Sequence, residues 1–266
     1  MDRDDLKLSG WAVILGASSG FGEATALELA SRGMDIFGVH LDRRATMPNV
    51  ERILGQIRAM GRRAEFWNVN AADEDKRQET VAAMAAQAPA GGARVLLHSL
   101  AFGTLRRFFP DDPAEALGKG QMEMTLDVMG SSLVYWTQAL VGAGLLGEGG
   151  RIYAMTSAGS SHVWPAYGAV SAAKCALESN IRQIAYELAP RRITANAILA
   201  GVTDTPALRK IPGNEAMIDA VKSRNPSRRL TTPGDVARVI AALAHPNTAW
   251  LTGNVIRVDG GEELAG

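Results

Sequence analysis

Cysteine is almost missing from this chain. Cys175 is the only one, so no internal disulfide can form. It follows a lysine within a helical pattern and is expected to be a buried, inert thiol. No stretch approaches the roughly eighteen uninterrupted apolar residues that a membrane span needs. Charge of one sign is not in excess either: Lys plus Arg is 28 and Asp plus Glu is 28. Neither nucleic acid nor a membrane is therefore an expected partner. His40, His98, His162 and His245 show no metal-ligand spacing, so no metal is expected. The opening Met1-Asp2-Arg3-Asp4-Asp5 is acidic and has no apolar run, unlike a secretory leader. There is no repeat and no low-complexity linker. The expectation is a soluble, cytoplasmic protein.

What is present is an alternation of short apolar runs and longer helical patterns. The expected strands are 11–15, 35–39, 64–69, 94–97, 151–155, 194–198 and 255–258. The expected helices are 21–32, 50–60, 73–87, a long span within 114–145, and 166–188. Apolar strands separated by helices indicate a parallel sheet covered on both faces. Right-handed crossovers make that an α/β, Rossmann-type, doubly wound sheet of about seven parallel strands. The 266 residues, 47% of them hydrophobic, suit one domain over 1–266. The stretch 205–230 breaks the rhythm with Pro212, Gly213 and Pro226, and is expected to form a lid over a substrate.

Gly16, Ser18, Ser19, Gly20, Phe21 and Gly22 join the first strand to the first helix. Glycines there permit a tight turn and a close backbone approach to a pyrophosphate at the helix N-terminus. A short glycine motif is weak by itself; the strand before it and the helix after it supply the context. After the second strand comes His40-Leu41-Asp42-Arg43-Arg44. An acidic residue here would accept from a ribose 2′-OH, whereas arginine favours a 2′-phosphate. With Asp42 beyond the strand end, Arg43 and Arg44 tip the expectation to NADPH, with NADH as the alternative. A solvated loop is the bland option for the same residues.

Tyr167 and Lys174 lie seven residues apart, and Ser157 lies seventeen before the lysine. Pro165 suits the first turn of a helix. Seven residues is close to two turns at about 3.6 per turn, which puts the phenol and the ammonium on one face. Such a pair can move a proton or stabilise an oxyanion, or it can be two side chains that merely share a face.

Together these residues resemble the short-chain dehydrogenase/reductase superfamily over nearly the whole chain. The resemblance includes Asn68-Val69 after the third strand, Ser157 after the fifth, and Thr252-Gly253 with Val258-Asp259-Gly260-Gly261 near the end. Most members place their tyrosine four residues before the lysine. Here that position is Val170, and Tyr167 lies one turn earlier. This departure resembles the bacterial enoyl-acyl-carrier-protein reductases, in their type III form. His98-Ser99-Leu100-Ala101-Phe102, Met129 in place of a relay asparagine, Ala200-Gly201 and the run 203–210 are similar to that branch. Ser157 fits both this branch and ordinary ketoreductases.

The resemblance implies hydride transfer to the β-carbon of a trans-2-enoyl thioester, on acyl carrier protein or coenzyme A, in fatty-acid synthesis. It implies that Tyr167 stabilises the enolate and that Lys174 holds the nicotinamide ribose. Ser157 either adds a hydrogen bond or caps a strand end. The glycine turn, Asn68, Val69, Ser99, Leu100 and Ala101 would line the dinucleotide, with Gly201 and Thr203 near the carboxamide and Thr205 at a phosphate. A homotetramer or homodimer is implied, with helices in 114–145 and 166–188 pairing. Met122, Met124, Met129 and Phe102 either line an acyl tunnel or belong to the core. Tyr153, in mid-strand, reads as packing. Arg209, Lys210, Arg224, Arg228 and Arg229 flank the lid and either dock an acidic carrier or form a solvated face. Two rivals stay open: a 3-ketoacyl reductase or other carbonyl oxidoreductase of the superfamily, and a non-catalytic dinucleotide-binding regulator.

Overall fold

The structure, a computed structural model, describes residues 6–264. The acidic opening pentapeptide lies outside them. Seven strands form one all-parallel sheet in the order β3-β2-β1-β4-β5-β6-β7. They are β1 (Trp11–Leu15), β2 (Asp35–His40), β3 (Ala64–Asn68), β4 (Ala93–His98), β5 (Leu146–Thr156), β6 (Thr194–Ala200) and β7 (Val255–Val258). The helices are α1 (Gly20–Ser31), α2 (Met47–Ala59), α3 (Glu74–Ala85), α4 (Lys119–Leu126), α5 (Ser132–Gly142), α6 (Gly168–Leu188), α7 (Asn214–Arg224) and α8 (Pro233–Leu243). Among the described residues, no helix is long and apolar enough to cross a membrane.

The strands alternate between two cores. Trp11, Val13 and Leu15 of β1 join Trp136 and Leu140 of α5 and Leu177 and Ile181 of α6 on one face. Ala12 and Ile14 join Leu29 of α1, Ile53 of α2 and Ile240 of α8 on the other. A strand buried on both faces reads as a continuous apolar run, which is why β1 stands out in the sequence. The strand order reverses between β1 and β4, and their carboxyl ends open the crevice where such sheets bind ligands.

Two expectations need correction, the start of the last long helix and the burial of Cys175. The helix expected from residue 166 begins at Gly168, with Tyr167 as its N-cap. Ala166 has φ +62°, so Pro165 lies in the preceding turn and not in the first helical turn. The long helical span expected within 114–145 is present, with α4 and α5 joined directly by a π-helical turn, Asp127–Ser131. Residues 205–230 carry α7, and α8 follows on a capping box between Thr232 and Asp235. Cys175 is exposed, with its thiol donating to the Ser160 carbonyl at 3.2 Å.

Candidate active site

The glycine turn is built as tightly as its sequence suggests. A Cβ on Gly22 would come within 2.0 Å of the Gly16 carbonyl oxygen. Gly16 has φ +88°, and a Cβ there would sit 2.4 Å from the Ser99 carbonyl oxygen. Gly16 and Ala17 also donate to the Val39 carbonyl, tying the turn to the end of β2. Only glycine lets the backbone close in this way. The result is an open cradle at the N-terminus of α1, with Ser18 and Ser19 on its rim. Thr205 stands opposite, 3.5 Å from where a Gly20 Cβ would lie. Thr203 and Thr205 are both buried; Thr203 donates to the Gly201 carbonyl, and Thr205 Oγ1 accepts from the Leu208 amide at 3.2 Å. Gly201 leaves room for Thr231 and Glu262, either of which a Cβ would strike.

Beside the cradle, sequence reasoning missed how Asp42 is held. The Asp42 amide donates to Asn68 Oδ1, and Asn68 Nδ2 donates to the Asp42 carbonyl, both at 2.9 Å. His40 Nδ1 lies 2.9 Å from the Asp42 carboxylate. Burial raises the carboxyl's pKa, but hydrogen bonds from Ser18, Thr46 and His40 outweigh it and leave the group below the ordinary value. The carboxylate therefore lies against the glycine turn. Arg43 and Arg44 are exposed and make no ion pair among the described residues. Asn68 spends its side chain on the Asp42 clasp. Val69 donates its amide to the His40 carbonyl at 2.9 Å, closing this wall.

Ser99, Leu100 and Ala101 leave the end of β4 and pass over the cradle, the Ser99 amide donating to the Leu15 carbonyl. Beyond them lie the candidate catalytic side chains. Ser157 follows β5 directly, and its Oγ lies 3.3 Å from the Tyr167 hydroxyl. Burial raises the Tyr167 pKa, partly offset by Ser157, so the phenol keeps its proton at neutral pH. Lys174 is buried and donates from Nζ to the Met155 carbonyl at 2.8 Å. Burial lowers its pKa to about 8, against the attraction of Glu178. His98 is buried at the end of β4, where burial and the Lys174 charge lower it to about 3. Ser132 gives its own proton to the Val128 carbonyl, so His98 Nε2 is the donor to Ser132.

Val170 carries no hydroxyl and is buried with Val128, Met129 and Ala173. Gly103 fits only because it lacks a Cβ, which would meet Met129, Thr125 and Val170 at 2.8–2.9 Å. Of the four residues weighed for an acyl tunnel, Met129 is core, Met124 packs on that cluster, Met122 is half-buried and Phe102 is exposed. Tyr153 is buried in the sheet, as packing requires. Phe108 lies across Gly168 beside the tyrosine, and Trp164 donates to the Pro212 carbonyl, bridging to the 205–230 segment. Much of the charge around that segment is neutralised: Arg209 pairs with Asp204, and Arg229 with Asp235.

Comparison with known proteins agrees with this architecture. The family model described as enoyl-(acyl carrier protein) reductase matches residues 16–263. The NADH-dependent enoyl-acyl-carrier-protein reductase FabI of Synechocystis is 33% identical over 179 residues, covering 66% of this chain and 67% of that one. The 3-oxoacyl-acyl-carrier-protein reductase FabG of Thermotoga maritima is 26% identical over 94% of this chain and 96% of its own. A solved short-chain dehydrogenase from Burkholderia cenocepacia, in complex with NADP, is 28% identical with a TM-score of 0.82, covering 97% of this chain and 99% of that one. The chain is thus an oxidoreductase of the short-chain dehydrogenase/reductase superfamily, and it belongs to that superfamily's enoyl-acyl-carrier-protein reductase family.

Proposed function

We propose that the protein reduces the trans-2 double bond of an enoyl thioester, carried by acyl carrier protein or coenzyme A, with NADH as the hydride donor. One observation carries this: the phenol that meets Ser157 is Tyr167, while the position four before Lys174 is Val170, sealed against Met129. The site has its hydroxyl one turn away from the place that carbonyl-reducing relatives use.

The cradle fits a dinucleotide, since a side chain on Gly16 or Gly22 would strike backbone and undo the tight turn that brings the start of α1 up to a pyrophosphate. Gly16, Ser18, Ser19, Gly20, Phe21 and Gly22 would hold the pyrophosphate at the start of α1. Ser99, Leu100, Ala101, Gly201, Thr203 and Thr205 would line the remainder. Bound there, the cofactor supplies a hydride to the β-carbon. The chain's own part is electrostatic. Tyr167 donates its proton-bearing hydroxyl to the thioester oxygen as negative charge grows on it, an interaction stronger in the transition state than in the ground state. Lys174 would hold the ribose hydroxyls and keep positive charge near the phenol. Ser157 fixes the phenol's direction.

The Asp42 carboxylate against Ser18 shifts the weight from NADPH, which Arg43 and Arg44 suggest, to NADH. A carboxylate at that point accepts from a 2′-hydroxyl and repels a 2′-phosphate. We also propose a homotetramer or homodimer, which light scattering at micromolar concentration tests.

A 3-ketoacyl reductase is the second reading, supported by the end-to-end match to the Thermotoga reductase and by Ser157. Spectrophotometric NADH and NADPH oxidation with crotonyl-coenzyme A and with acetoacetyl-coenzyme A decides. Turnover of the first supports the proposal, and turnover of the second alone replaces it. Oxidation with neither, despite dinucleotide binding, returns the protein to a binding role.

A further inference from the structure

Lys174 is 4% exposed, and the hydrogen bond resolved for its ammonium goes to the Met155 carbonyl. An ammonium has three donors, and a buried charge is costly unless it is compensated. Compensation comes from α6 itself. Glu178 lies four residues on, which brings it to the same face. Its Oε1 accepts from Thr156 Oγ1 at 2.6 Å. Met155 and Thr156 are consecutive residues of β5. The helix therefore grips the strand end twice, through the lysine at one residue and through the glutamate at the next.

Of the groups around Lys174, Glu178 is the one resolved as attracting its charge. From β4 comes His98, neutral and bonded to Ser132. From the turn before α6 comes Tyr167, a protonated phenol. The π turn packs on α6 through Val128 and Met129, with Asp127 its single ionisable residue. In β5, Arg151 turns to the carbonyls of Gly149 and Gly150 at the far end of the strand.

We propose that Glu178 is a positioning residue for Lys174: tethered by Thr156, its carboxylate keeps the buried ammonium charged and aimed at the dinucleotide ribose. The link between Glu178 and Lys174 stands on their i,i+4 placement on α6 and on the two adjacent bonds to Met155 and Thr156; the ribose contact rests on the function proposed above. Loss of the carboxylate leaves the lysine to burial, so it gives up its proton at lower pH. A glutamate that merely ties helix to strand would leave that titration where it is.

The test has two arms. In the first, the protein is labelled with [ε-¹³C]lysine and titrated by NMR, with the Lys174 signal assigned by its loss in Lys174→Met. Glu178→Gln is expected to lower the midpoint by about one pH unit relative to wild type. Glu178→Asp should recover part of the shift. Thr156→Val should move the midpoint the same way as Glu178→Gln, and it serves if that variant folds poorly. An unchanged midpoint in the folded variants overturns the proposal. In the second arm, NADH binding is measured at pH 6 and pH 8.5. Glu178→Gln should match wild type at pH 6 and bind about tenfold more weakly at pH 8.5. Equal weakening at both pH values means a structural tether and overturns the proposal. If the wild type binds neither NADH nor NADPH, the functional reading fails while the NMR arm still decides the role of Glu178.

Discussion

The Tyr167 hydroxyl lies 3.3 Å from Ser157 Oγ, and burial keeps the phenol protonated. The two residues are the N-cap of α6 and the residue just after β5, ten positions apart. A donor held this way is ready for an oxygen on which charge develops. Tyr167→Phe should therefore lose about 10²–10³ in kcat on crotonyl-coenzyme A. Dinucleotide affinity should barely change. Ser157→Ala removes a hydrogen bond worth about 1 kcal/mol and should cost roughly fivefold. Near wild-type turnover in Tyr167→Phe would place the proton chemistry elsewhere.

Much of this site is legible in the sequence, because its signals are local. The glycine turn, the Tyr167–Lys174 spacing and the buried strands each depend on neighbours a few residues away. The errors are instructive. Pro165 was a fair helix-start signal, yet Ala166 takes a left-handed φ and delays the helix to Gly168. Thr232 and Asp235 form a capping box that starts α8, a helix absent from the elements expected from the sequence. The Asp42 carboxylate is a different kind of miss. Its position depends on Ser18 and on Asn68, each at least 24 residues away along the chain, and no local pattern reports that. Glu178 was readable as an i,i+4 partner of Lys174, though its contact with Thr156 was not.

Moving the hydroxyl to the usual place should fail. Val170 is buried, and Gly103, Met129 and Thr125 already crowd one another beside it. A tyrosine overpacks this cluster, at a cost of about 1–3 kcal/mol or more. Tyr167→Phe/Val170→Tyr should be less stable in urea than Tyr167→Phe alone and should recover no enoyl reduction. Recovery would mean that the apolar plug opens freely.

The cofactor prediction rests on Asp42. Wild type should favour NADH over NADPH by about tenfold or more in kcat/KM, a difference near 1.4 kcal/mol. Asp42→Ser should bring the two within about threefold of each other, because Arg43 and Arg44 can then take a 2′-phosphate. Equal use of both cofactors by the wild type sinks the assignment.

The glycines divide sharply. Gly22→Ala forces a methyl to within 2.0 Å of a backbone oxygen and should abolish dinucleotide binding or folding. Gly55 lies exposed inside α2 with nothing within 4 Å of an added Cβ. Gly55→Ala should raise stability by about 0.5–1 kcal/mol. Chemical denaturation of both variants checks the contrast, and equal destabilisation by the two would contradict the cradle.

Lys174 also gives the ligand-free protein a pH signature whose sign is fixed. Its ordinary value is 10.5, and burial lowers it to about 8 in the fold. Below pH 8 both folded and unfolded chains hold the proton, and the fold bears the full burden of a buried charge. Between 8 and 10.5 the folded chain releases the proton while the unfolded chain keeps it. The unfolded state then binds more protons, so unfolding free energy rises with pH. By pH 9.5 the gain is about 2 kcal/mol from this group. The range stops there because Tyr153 and Tyr167 are both raised by burial and act in the opposite sense at higher pH. Other groups add their own slopes, so the quantity to measure is the difference in unfolding free energy between wild type and Lys174→Met. That difference should shift in favour of the wild type from pH 7 to 9.5. A flat difference means that the ammonium is better solvated or better paired than its burial implies. The same comparison made in the Glu178→Gln background separates the two, because a slope that appears once the carboxylate is removed marks pairing through Glu178.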